Sequence, residues 1–312
     1  MDFRRIQHFV HAAEAGSISK AANNLHIVQP ALSQSIQRLE NELNVTLFER
    51  SRRGIKLTQS GEIFLHHAYG ILNQYNRAKE AISTVGGAPK GAVSAAMTAS
   101  ALEILTVPLN TKIGHQFPNI ELNLEEGLAG SILQGLDAGW FDLVVNYLLP
   151  ASESLIAQPL IEEEMFLVSR KTDDDNNPDD PIEFCQLKGM PLMLPKIHHG
   201  VLGVLEPIAR EQGFSITRSP HRGALHPTIK LIQAGFGPSI LPMSAVQGRS
   251  ERGNLSVRRV INPTITSTLY LAYPSRKQLT PATVAVMDVL REAVIEEHAS
   301  GNWAGNLLLE SS

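Results

Sequence analysis

The sequence predicts an α/β protein that carries a smaller, helical head at its N-terminus. Three observations support this fold class. Residues 1–58 contain short segments with helical apolar periodicity, and a much longer helical pattern then runs from residue 59 to about residue 85. From residue 91 onward, short apolar strands alternate with helical patterns, which is typical of an α/β domain. At 312 residues, the chain is long enough for roughly two or three domains.

The composition indicates an ordinary folded protein. Hydrophobic residues make up 43% of the chain and charged residues 19%, which excludes an intrinsically disordered polymer. No apolar run approaches the roughly 18–20 residues that a transmembrane helix needs, and the charged N-terminus has no secretory signal. The lone Cys185 excludes an intramolecular disulfide and a CxxC site, and we expect it to be buried and inert. We therefore expect a cytoplasmic protein that binds no membrane.

The charge is distributed unevenly along the chain. Residues 1–90 contain 11 Lys and Arg residues against 7 Asp and Glu residues, a net charge of +4. Because the whole chain carries −4, the remainder carries −8. A basic head on an acidic body suggests that only the head meets a polyanion.

Local signals predict three helices in the head. Gly16 ends the first helix, and Ser17 is placed to cap the second. Gln29 and Pro30 begin the third, because proline is tolerated in the first helical turn. The predicted buried stripes are Ile6, Phe9, Val10 and Ala13 in the first helix, and Leu32, Ile36, Leu39 and Leu43 in the third.

The outer face of the third helix is polar in a way that suits the major groove of DNA. Glutamine bonds adenine bidentately, serine serves either base, and arginine suits guanine or phosphate. A small hairpin follows at residues 47–57, and the arginines at its tip are placed to grip the phosphate backbone. A merely solvated face is the alternative reading of the helix. The candidate DNA contacts are Gln29, Pro30, Ser33, Gln34, Gln37, Arg38, Arg50, Arg52 and Arg53.

A run of residues in fixed register carries a family resemblance. It comprises Ala21-Ala22, Leu25, the segment 29–34, Ile36, Leu39-Glu40, Leu43, Leu47-Phe48, Arg50, Gly54, Leu57-Thr58 and Gly61. In this register the head resembles the winged helix-turn-helix of LysR-type transcriptional regulators. The resemblance implies that the third helix is the recognition helix, that the hairpin is the wing, and that the partner is double-stranded promoter DNA.

Two positions depart from the family pattern. Val28 stands where the family usually has a Ser or Thr that caps the recognition helix, and a missing cap costs about 0.5–2 kcal/mol. Asn44 replaces a common Gly at the end of that helix. This change is benign, because Asn is the next-best residue for a left-handed helix end.

The long helix is predicted to pair with a second copy of the chain. Thr58 is placed to cap it, and about 27 residues would span roughly 40 Å. Its apolar seam, spaced by three and four residues, suits a two-stranded coiled coil, whereas packing on its own chain is the alternative. The seam consists of Leu65, Ala68, Leu72, Tyr75, Lys79 and Ile82. The resemblance agrees, and it divides the head into a DNA-binding domain (1–58) and a linker helix with its hinge (59–88).

The body, residues 89–312, is expected to contain mostly parallel sheets. Chain crossings near residues 160–163 and 264–268 would divide it into subdomain I (91–161 and 267–300) and subdomain II (162–266). This plan resembles, more weakly than the head does, the periplasmic-binding-protein-like effector domain of LysR-type regulators. The Gly-x-Gly of residues 235–237 follows a helix and precedes a strand, so it is not a dinucleotide-binding motif.

Ligands of such domains lie beyond the carboxyl ends of the strands, near helix N-termini. The residues at these positions offer hydroxyl, amide and imidazole groups, which suit a small organic effector that is aromatic or carries a carboxylate. Simple helix capping is the alternative role for the hydroxyl residues. The candidate effector contacts are Thr98, Ser100, Ser131, Asn146, His199 and His226.

Other function classes fit the sequence less well. The histidines at 198, 199, 221 and 226 lack Cys or carboxylate partners at ligand spacing, so neither a metal nor another cofactor is expected. No nucleophile elbow or P-loop is present, so an enzyme is not expected. The prediction is therefore a LysR-type regulator that is a homodimer or homotetramer, with RNA polymerase as a further partner. The alternatives are a ligand-independent anti-activator or architectural protein of the same fold, and a solute-binding module that has acquired a head.

Overall fold

The computed structural model describes residues 2–51, 54–83, 88–149, 154–171, 180–194, 201–221, 224–247, 254–275 and 279–309. The chain forms two compact units. The first comprises Met1–Gly87 and Asp137–Trp140, and the second comprises Ala88–Leu136 and Phe141–Ser312. Each unit is built around a hydrophobic core of its own.

The first unit contains the predicted helices and hairpin. Its elements are α1 (Phe3–Ala15), α2 (Ile18–Asn24), α3 (Gln29–Leu43), β1 (Phe48–Ser51), β2 (Gly54–Leu57) and α4 (Gln59–Ser83). Phe9 lies at the centre of its core, with ring centroids 5.1 Å from Phe48 and 5.0 Å from Phe64. The predicted cap of α2 is confirmed, since the Ser17 hydroxyl accepts a hydrogen bond from the backbone N–H of Lys20.

Helix α4 begins as predicted, but its apolar seam is only partly available to a partner. The Thr58 hydroxyl accepts from the backbone N–H of Gly61 at 2.9 Å. Leu65, Ala68 and Leu72 pack against the core of the head itself. Tyr75, a further residue of the predicted seam, stays exposed, and so do Ile63 and Ile71, which lie outside that seam. The first half of the predicted seam is thus covered by packing within the same chain. The side chain of Ile82 and the hinge residues 84–87 lie outside what the structure describes.

The second unit is built on one large sheet flanked by helices. Its elements are β3 (Gly91–Met97), α5 (Ala99–Gln116), β4 (Ile120–Glu126), α6 (Ala129–Ala138), β5 (Leu143–Asn146), β6 (Leu155–Arg170), β7 (Ile182–Glu183), α7 (Val201–Glu211), α8 (Leu225–Gln233), β8 (Ser239–Pro242), β9 (Leu255–Ile261), β10 (Thr266–Pro274), α9 (Pro281–Ala299) and β11 (Asn306–Leu307). The strand order is β4-β3-β5-β10-β6-β9-β7, and β8 and β11 also pair with β6.

The prediction of mostly parallel sheets is wrong for the strands that the structure describes. Strand β3 runs parallel to β4 and β5, and β7 runs parallel to β9. The other pairings are antiparallel, and all of them involve β6 or β10. The cause is the length of β6: its 16 residues form one continuous strand, whereas the sequence pattern predicts a strand only over residues 165–169. Strand β10 returns along it in the opposite direction.

The C-terminal tail packs onto the sheet. Strand β11 pairs with β6, and the side chains of Leu307 and Leu309 contact the core beneath α5 and α9. Trp303 is fully buried in the same core. Gly305, with φ +157°, allows this close approach, because a Cβ atom there would lie 2.5 Å from the carbonyl oxygen of Glu162. The leucine-rich tail is therefore part of the folded domain.

The prediction that Cys185 is buried is also wrong. It lies in a 3-10 turn, Phe184–Leu187, in which the first and last residues are buried and Cys185 is exposed. The spacing of three residues places Phe184 and Leu187 on the same inward side. Among the helices that the structure describes, none combines the length and apolarity required to cross a membrane.

Candidate nucleic-acid interface and effector site

The recognition-helix candidate α3 has two contrasting faces. Leu32, Ile36 and Leu39 are fully buried against the other elements of the head. On the opposite side most of the predicted DNA contacts are exposed, and Ser33 is half-buried. The exposed contacts are Gln29, Pro30, Gln34, Gln37 and Arg38. The core fixes the orientation of α3, so these polar side chains are presented together.

The ends of α3 have the geometry expected from the sequence. Val28 occupies the N-cap position in extended conformation and supplies no capping hydrogen bond. Asn44 adopts the left-handed conformation with φ 54°, and its N–H is bonded to carbonyls of the last turn. The Glu40 carboxylate accepts from the backbone N–H groups of Leu47 and Phe48 at 2.7 and 3.2 Å, which ties α3 to the start of the hairpin.

The hairpin has a fixed base. Strands β1 and β2 are antiparallel, with Arg50 opposite Ile55, and the Ile55 N–H donates to the carbonyl oxygen of Gly16. Gly54 has φ +127°, and a Cβ atom there would lie 2.6 Å from that same oxygen. A side chain is therefore not tolerated at the point where the hairpin crosses the turn after α1. The side chain of Arg50, and Arg52 and Arg53, lie outside the described part of the molecule.

The predicted effector contacts occupy different environments in the second unit. Thr98 is at the N-cap of α5, yet its hydroxyl makes no capping bond, and the Oγ1 atom is buried without a partner. Ser100, in the first turn of the same helix, is buried, and its Oγ lies 3.0 Å from the hydroxyl of Tyr147. Both of these predicted contacts therefore lie at the N-terminus of α5.

The other four predicted contacts differ from this pair. Asn146 is completely buried, and its amide groups bond the Ala129 carbonyl and the Leu148 N–H. Its side chain is thus used to hold the end of β5. Ser131 and His226 are exposed, and His226 lies in the first turn of α8. His199 falls outside the described residues.

The structure adds a buried carboxyl group that the sequence analysis did not select. Glu163 on β6 is 1% exposed, and its Oε2 accepts from the Tyr147 hydroxyl at 2.5 Å. Ser244 and the indole of Trp303 lie beside this carboxyl group. The Glu163 Oε1, Ser244 Oγ and Trp303 Nε1 atoms nevertheless have no partner at hydrogen-bond geometry. The signal was present in the sequence: in a strand, Glu163 shares the inward side with Ile161 and Met165.

The electrostatics of this hydrogen-bonded series, Ser100–Tyr147–Glu163, follow from its burial. Removal from water raises the pKa of the Glu163 carboxyl, although the hydroxyl and indole groups beside it act in the opposite direction. Burial and the neighbouring Glu163 carboxylate also raise the pKa of Tyr147 well above its usual value. This hydrogen-bonded series therefore favours a neutral Tyr147 that donates a hydrogen bond to the Glu163 carboxyl group, whose own acidity is reduced. In the described part of the chain, no cluster of three or more His, Cys, Asp or Glu side chains could hold a metal ion.

Two family sequence models match the chain. Residues 3–62 match the family described as bacterial regulatory helix-turn-helix protein, lysR family, and residues 86–295 match the LysR substrate binding domain. Among curated proteins, the nitrogen assimilation regulatory protein nac of Escherichia coli K12 is 31% identical over 300 residues, covering 94% of this chain and 95% of that protein. The hydrogen peroxide-inducible genes activator of Escherichia coli O6:H1 is 28% identical over 306 residues, covering 94% and 100%.

Solved structures show the same fold. Full-length CbnR in complex with its target DNA superposes with a TM-score of 0.70 at 21% identity, covering 94% of this chain and 100% of that one. CbnR, described as a LysR family transcriptional regulator, gives a TM-score of 0.72 at 20% identity, with 94% and 99% covered. Full-length BenM gives 0.56 at 22% identity, with 98% and 99% covered. At these identities the structural similarity concerns the fold.

Proposed function

The chain belongs to the LysR family of bacterial transcriptional regulators, and from this we propose that it binds promoter DNA through α3 and the hairpin under the control of a small effector. The observation that carries the proposal is the exposed polar face of α3, held on a buried apolar face. Gln34 and Gln37 supply the amide groups that read base edges, and the hairpin arginines supply phosphate contacts. The proposed DNA contacts are the nine residues predicted from the sequence.

Within the head we assign the DNA-binding domain to residues 1–58 and the linker helix with its hinge to 59–88, and we assign the effector-binding body to 89–312. The proposed dimer interface is on α4, and pairs of dimers would form the tetramer. The solved CbnR complex with target DNA supports a bound state in which the head meets duplex DNA. We place the protein in the cytoplasm, where that DNA and RNA polymerase are found.

The effector site is proposed at the N-terminus of α5. Thr98 and Ser100 lie there, one with an unpartnered buried hydroxyl and the other bonded to Tyr147. Unpaired N–H groups and hydroxyls at such a helix end suit a carboxylate-bearing or aromatic molecule. Effector binding would shift the balance between two arrangements of the body only through its different affinity for each.

DNA binding is tested by titrating the full chain onto a duplex of the region upstream of its own coding sequence. We expect specific binding that is at least about 10³-fold tighter than binding to a scrambled duplex at the same salt. We also expect the logarithm of the affinity to fall linearly with the logarithm of the salt concentration. Equal affinity for the two duplexes would refute sequence-specific binding and would favour an architectural role or a solute-binding module with an added head.

Effector binding is tested by a thermal-shift screen of the full chain against carboxylates, aromatic compounds, amino-acid precursors and divalent metals. A saturable rise in Tm that is lost in Thr98→Ala or Ser100→Ala would support the site, because a ligand stabilises the state that binds it. Thr106→Ala is the matched control, since its exposed hydroxyl lies on the same helix, away from the N-terminus, and donates to the carbonyl oxygen of Leu102. Promoter binding with no response to any compound would support the ligand-independent anti-activator.

A further inference from the structure

A pocket of about 190 Å³ lies between the N-terminal turn of α1 and the first three turns of α3. It is separate from the hairpin and belongs entirely to the head. The residues that line it are Asp2, Arg4, Arg5, Ala31, Gln34, Ser35 and Arg38. Two of them, Gln34 and Arg38, are on the DNA-facing side of α3, so the pocket opens next to the proposed interface.

The charged groups of the pocket are not equivalent. The Arg5 guanidinium donates to the Glu42 carboxylate at 2.8 Å, which largely cancels its charge. The Asp2 carboxylate accepts from the backbone N–H of Arg4 at 3.0 Å and caps α1. By contrast, Arg4 and Arg38 are exposed, and neither forms an ion pair with any residue that the structure describes. Two guanidinium groups therefore remain for an incoming anion.

The neighbouring His8 and Ser35 do not neutralise the positive charge of Arg4 and Arg38. His8 is half-buried, and its Nδ1 lies 2.8 Å from the hydroxyl of Ser35, so this pocket residue already has a hydrogen-bond partner. Burial and the positive charge of Arg4 lower the pKa of His8, so the imidazole is neutral near pH 7 and leaves the site to the two arginines. A guanidinium pair matches the shape and charge of a phosphate group, which accepts several charge-assisted hydrogen bonds at once.

We propose that Arg4 and Arg38 together bind one backbone phosphate of the DNA duplex, and that this contact positions α3 in the major groove. The inference rests on the proposed DNA-binding function and adds to it in two ways. It brings the first helix of the head into the interface, and it assigns Arg38 to the phosphate backbone, whereas the sequence alone leaves base and phosphate open. Gln34, at the edge of the same pocket, remains free to read a base.

The test is a salt titration of DNA binding by the full chain, on both the upstream duplex and a scrambled duplex. For Arg4→Ala and for Arg38→Ala, we expect the slope of log affinity against log salt to fall by up to about 0.9, the value for one phosphate contact, and the double variant should lose no more than that, because the two arginines share one phosphate. Both duplexes should lose affinity by a similar factor, on the order of tenfold. The charge-retaining Arg4→Lys variant should keep the slope, which separates loss of charge from loss of folding.

Arg5→Ala is the matched control, because its guanidinium lines the same pocket but is already paired with Glu42. We expect its salt slope to match the wild type. The proposal is overturned if Arg4→Ala leaves the slope unchanged, if Arg5→Ala lowers it equally, or if Arg38→Ala weakens only the specific duplex. A wild-type chain with no specific binding would instead refute the proposed function, so the two failures are distinguishable.

Discussion

At the scale of single residues, the polar face of α3 separates two kinds of DNA contact. Glutamine can distinguish bases by its amide, whereas arginine at the hairpin tip is expected to meet mainly phosphates, which every sequence shares. The exposed Gln34 and the hairpin Arg53 are therefore expected to respond differently to truncation, although both lie in the same head.

We predict that Gln34→Ala chiefly erodes specificity, because a bidentate base contact contributes about 1–3 kcal/mol of discrimination. Arg53→Ala should weaken binding to specific and scrambled duplexes alike. The measurement is the affinity ratio of the two duplexes for each variant at fixed salt, with Gln7→Ala, an exposed glutamine of α1, as control. If both changes reduce the ratio of specific to scrambled affinity equally, the assignment of Gln34 to bases and Arg53 to phosphates is wrong.

The buried Glu163 carboxyl should make the stability of the body depend on pH. Its folded-state pKa is raised by burial above the usual value of 4.5, so the carboxyl favours folding most when it is protonated. That contribution is fully present below the unfolded-state pKa and is lost as the pH rises through the higher folded-state pKa. The loss amounts to about 1.4 kcal/mol for each unit by which the pKa is raised.

We therefore predict that Glu163→Gln, which resembles the protonated acid, gains stability relative to the wild type as the pH rises above about 4.5. The measurement is the free energy of unfolding in urea across the pH range. Glu121→Gln, at an exposed position on β4, controls for the general loss of one negative charge. A difference between Glu163→Gln and wild type that does not change with pH would contradict the role assigned to burial.

Residues whose role depends on local geometry were predictable, and those that depend on distant neighbours were not. The caps at Ser17 and Thr58 and the left-handed Asn44 follow from positions a few residues apart. The alternation of β6 indicates that Glu163 faces inward, but its hydrogen-bonding surroundings could not be predicted, because Tyr147, Ser244 and Trp303 belong to distant segments of the chain. Asn146 was correctly placed after a strand, but its amide is used to bond the chain to itself.

At the scale of elements, α3 combines a well-formed C-terminus with an uncapped N-terminus. Val28 is 70% exposed, so its side chain contributes little packing. Its backbone already has the extended conformation that a capping residue needs, with φ −76° and ψ 137°. A hydroxyl at this position could therefore accept a bond from the first turn without rearrangement.

We predict that Val28→Thr stabilises the head by about 0.5–2 kcal/mol, the usual contribution of such a cap. Threonine retains the β-branched shape, so the added hydroxyl is the main change. Val45→Thr, also at an exposed valine but just past the C-terminus of α3, where a hydroxyl cannot cap a helix N-terminus, should have little effect. Chemical unfolding followed by circular dichroism measures both, and equal shifts for the two variants would show that capping is not the cause.

Helix α4 leaves an apolar strip for a second copy of the chain. Ile63 and Ile71 are exposed on the part of the helix whose other side packs on the head. We predict that the double change Ile63→Glu and Ile71→Glu lowers the oligomeric state measured by sedimentation, because it places two charges in an apolar contact. Gln74→Glu adds a charge at an exposed position of the same helix and should leave the oligomeric state unchanged. An unchanged mass for the double variant would move the dimer interface elsewhere.

Helical elements were predicted more completely than the sheet. The period of 3.6 residues reveals α1, α3 and α4 from within each segment, since a helix makes its hydrogen bonds locally. The direction and neighbours of a strand depend on residues far along the chain, so β6 was foreseen as a fragment and the sheet as mostly parallel. The partial loss of the α4 seam has the same origin, because only tertiary packing shows which helix face is already covered.

At the scale of the whole molecule, the uneven charge matches the proposed division of tasks. The head, with its net positive charge, contains both the polar face of α3 and the Arg4–Arg38 pocket. The body is acidic and keeps its hydroxyl-lined candidate site at the start of α5, away from the need to bind a polyanion. Raising the ionic strength should therefore weaken DNA binding far more than the binding of a small effector.

The position of β10 has a consequence for how the body is synthesised. It lies between β5 and β6, whereas all of its own residues come about a hundred positions later in the chain. While the ribosome is still translating the middle of the chain, β5 and β6 each lack a neighbour and expose an open edge, which is a hazard for aggregation. At about 5–20 residues per second, several seconds pass before that gap is closed. The hydrophobic core of the head contains only residues from the first 83 of the chain, so we expect it to form early. The body, by contrast, is expected to need chaperones until its translation is nearly complete.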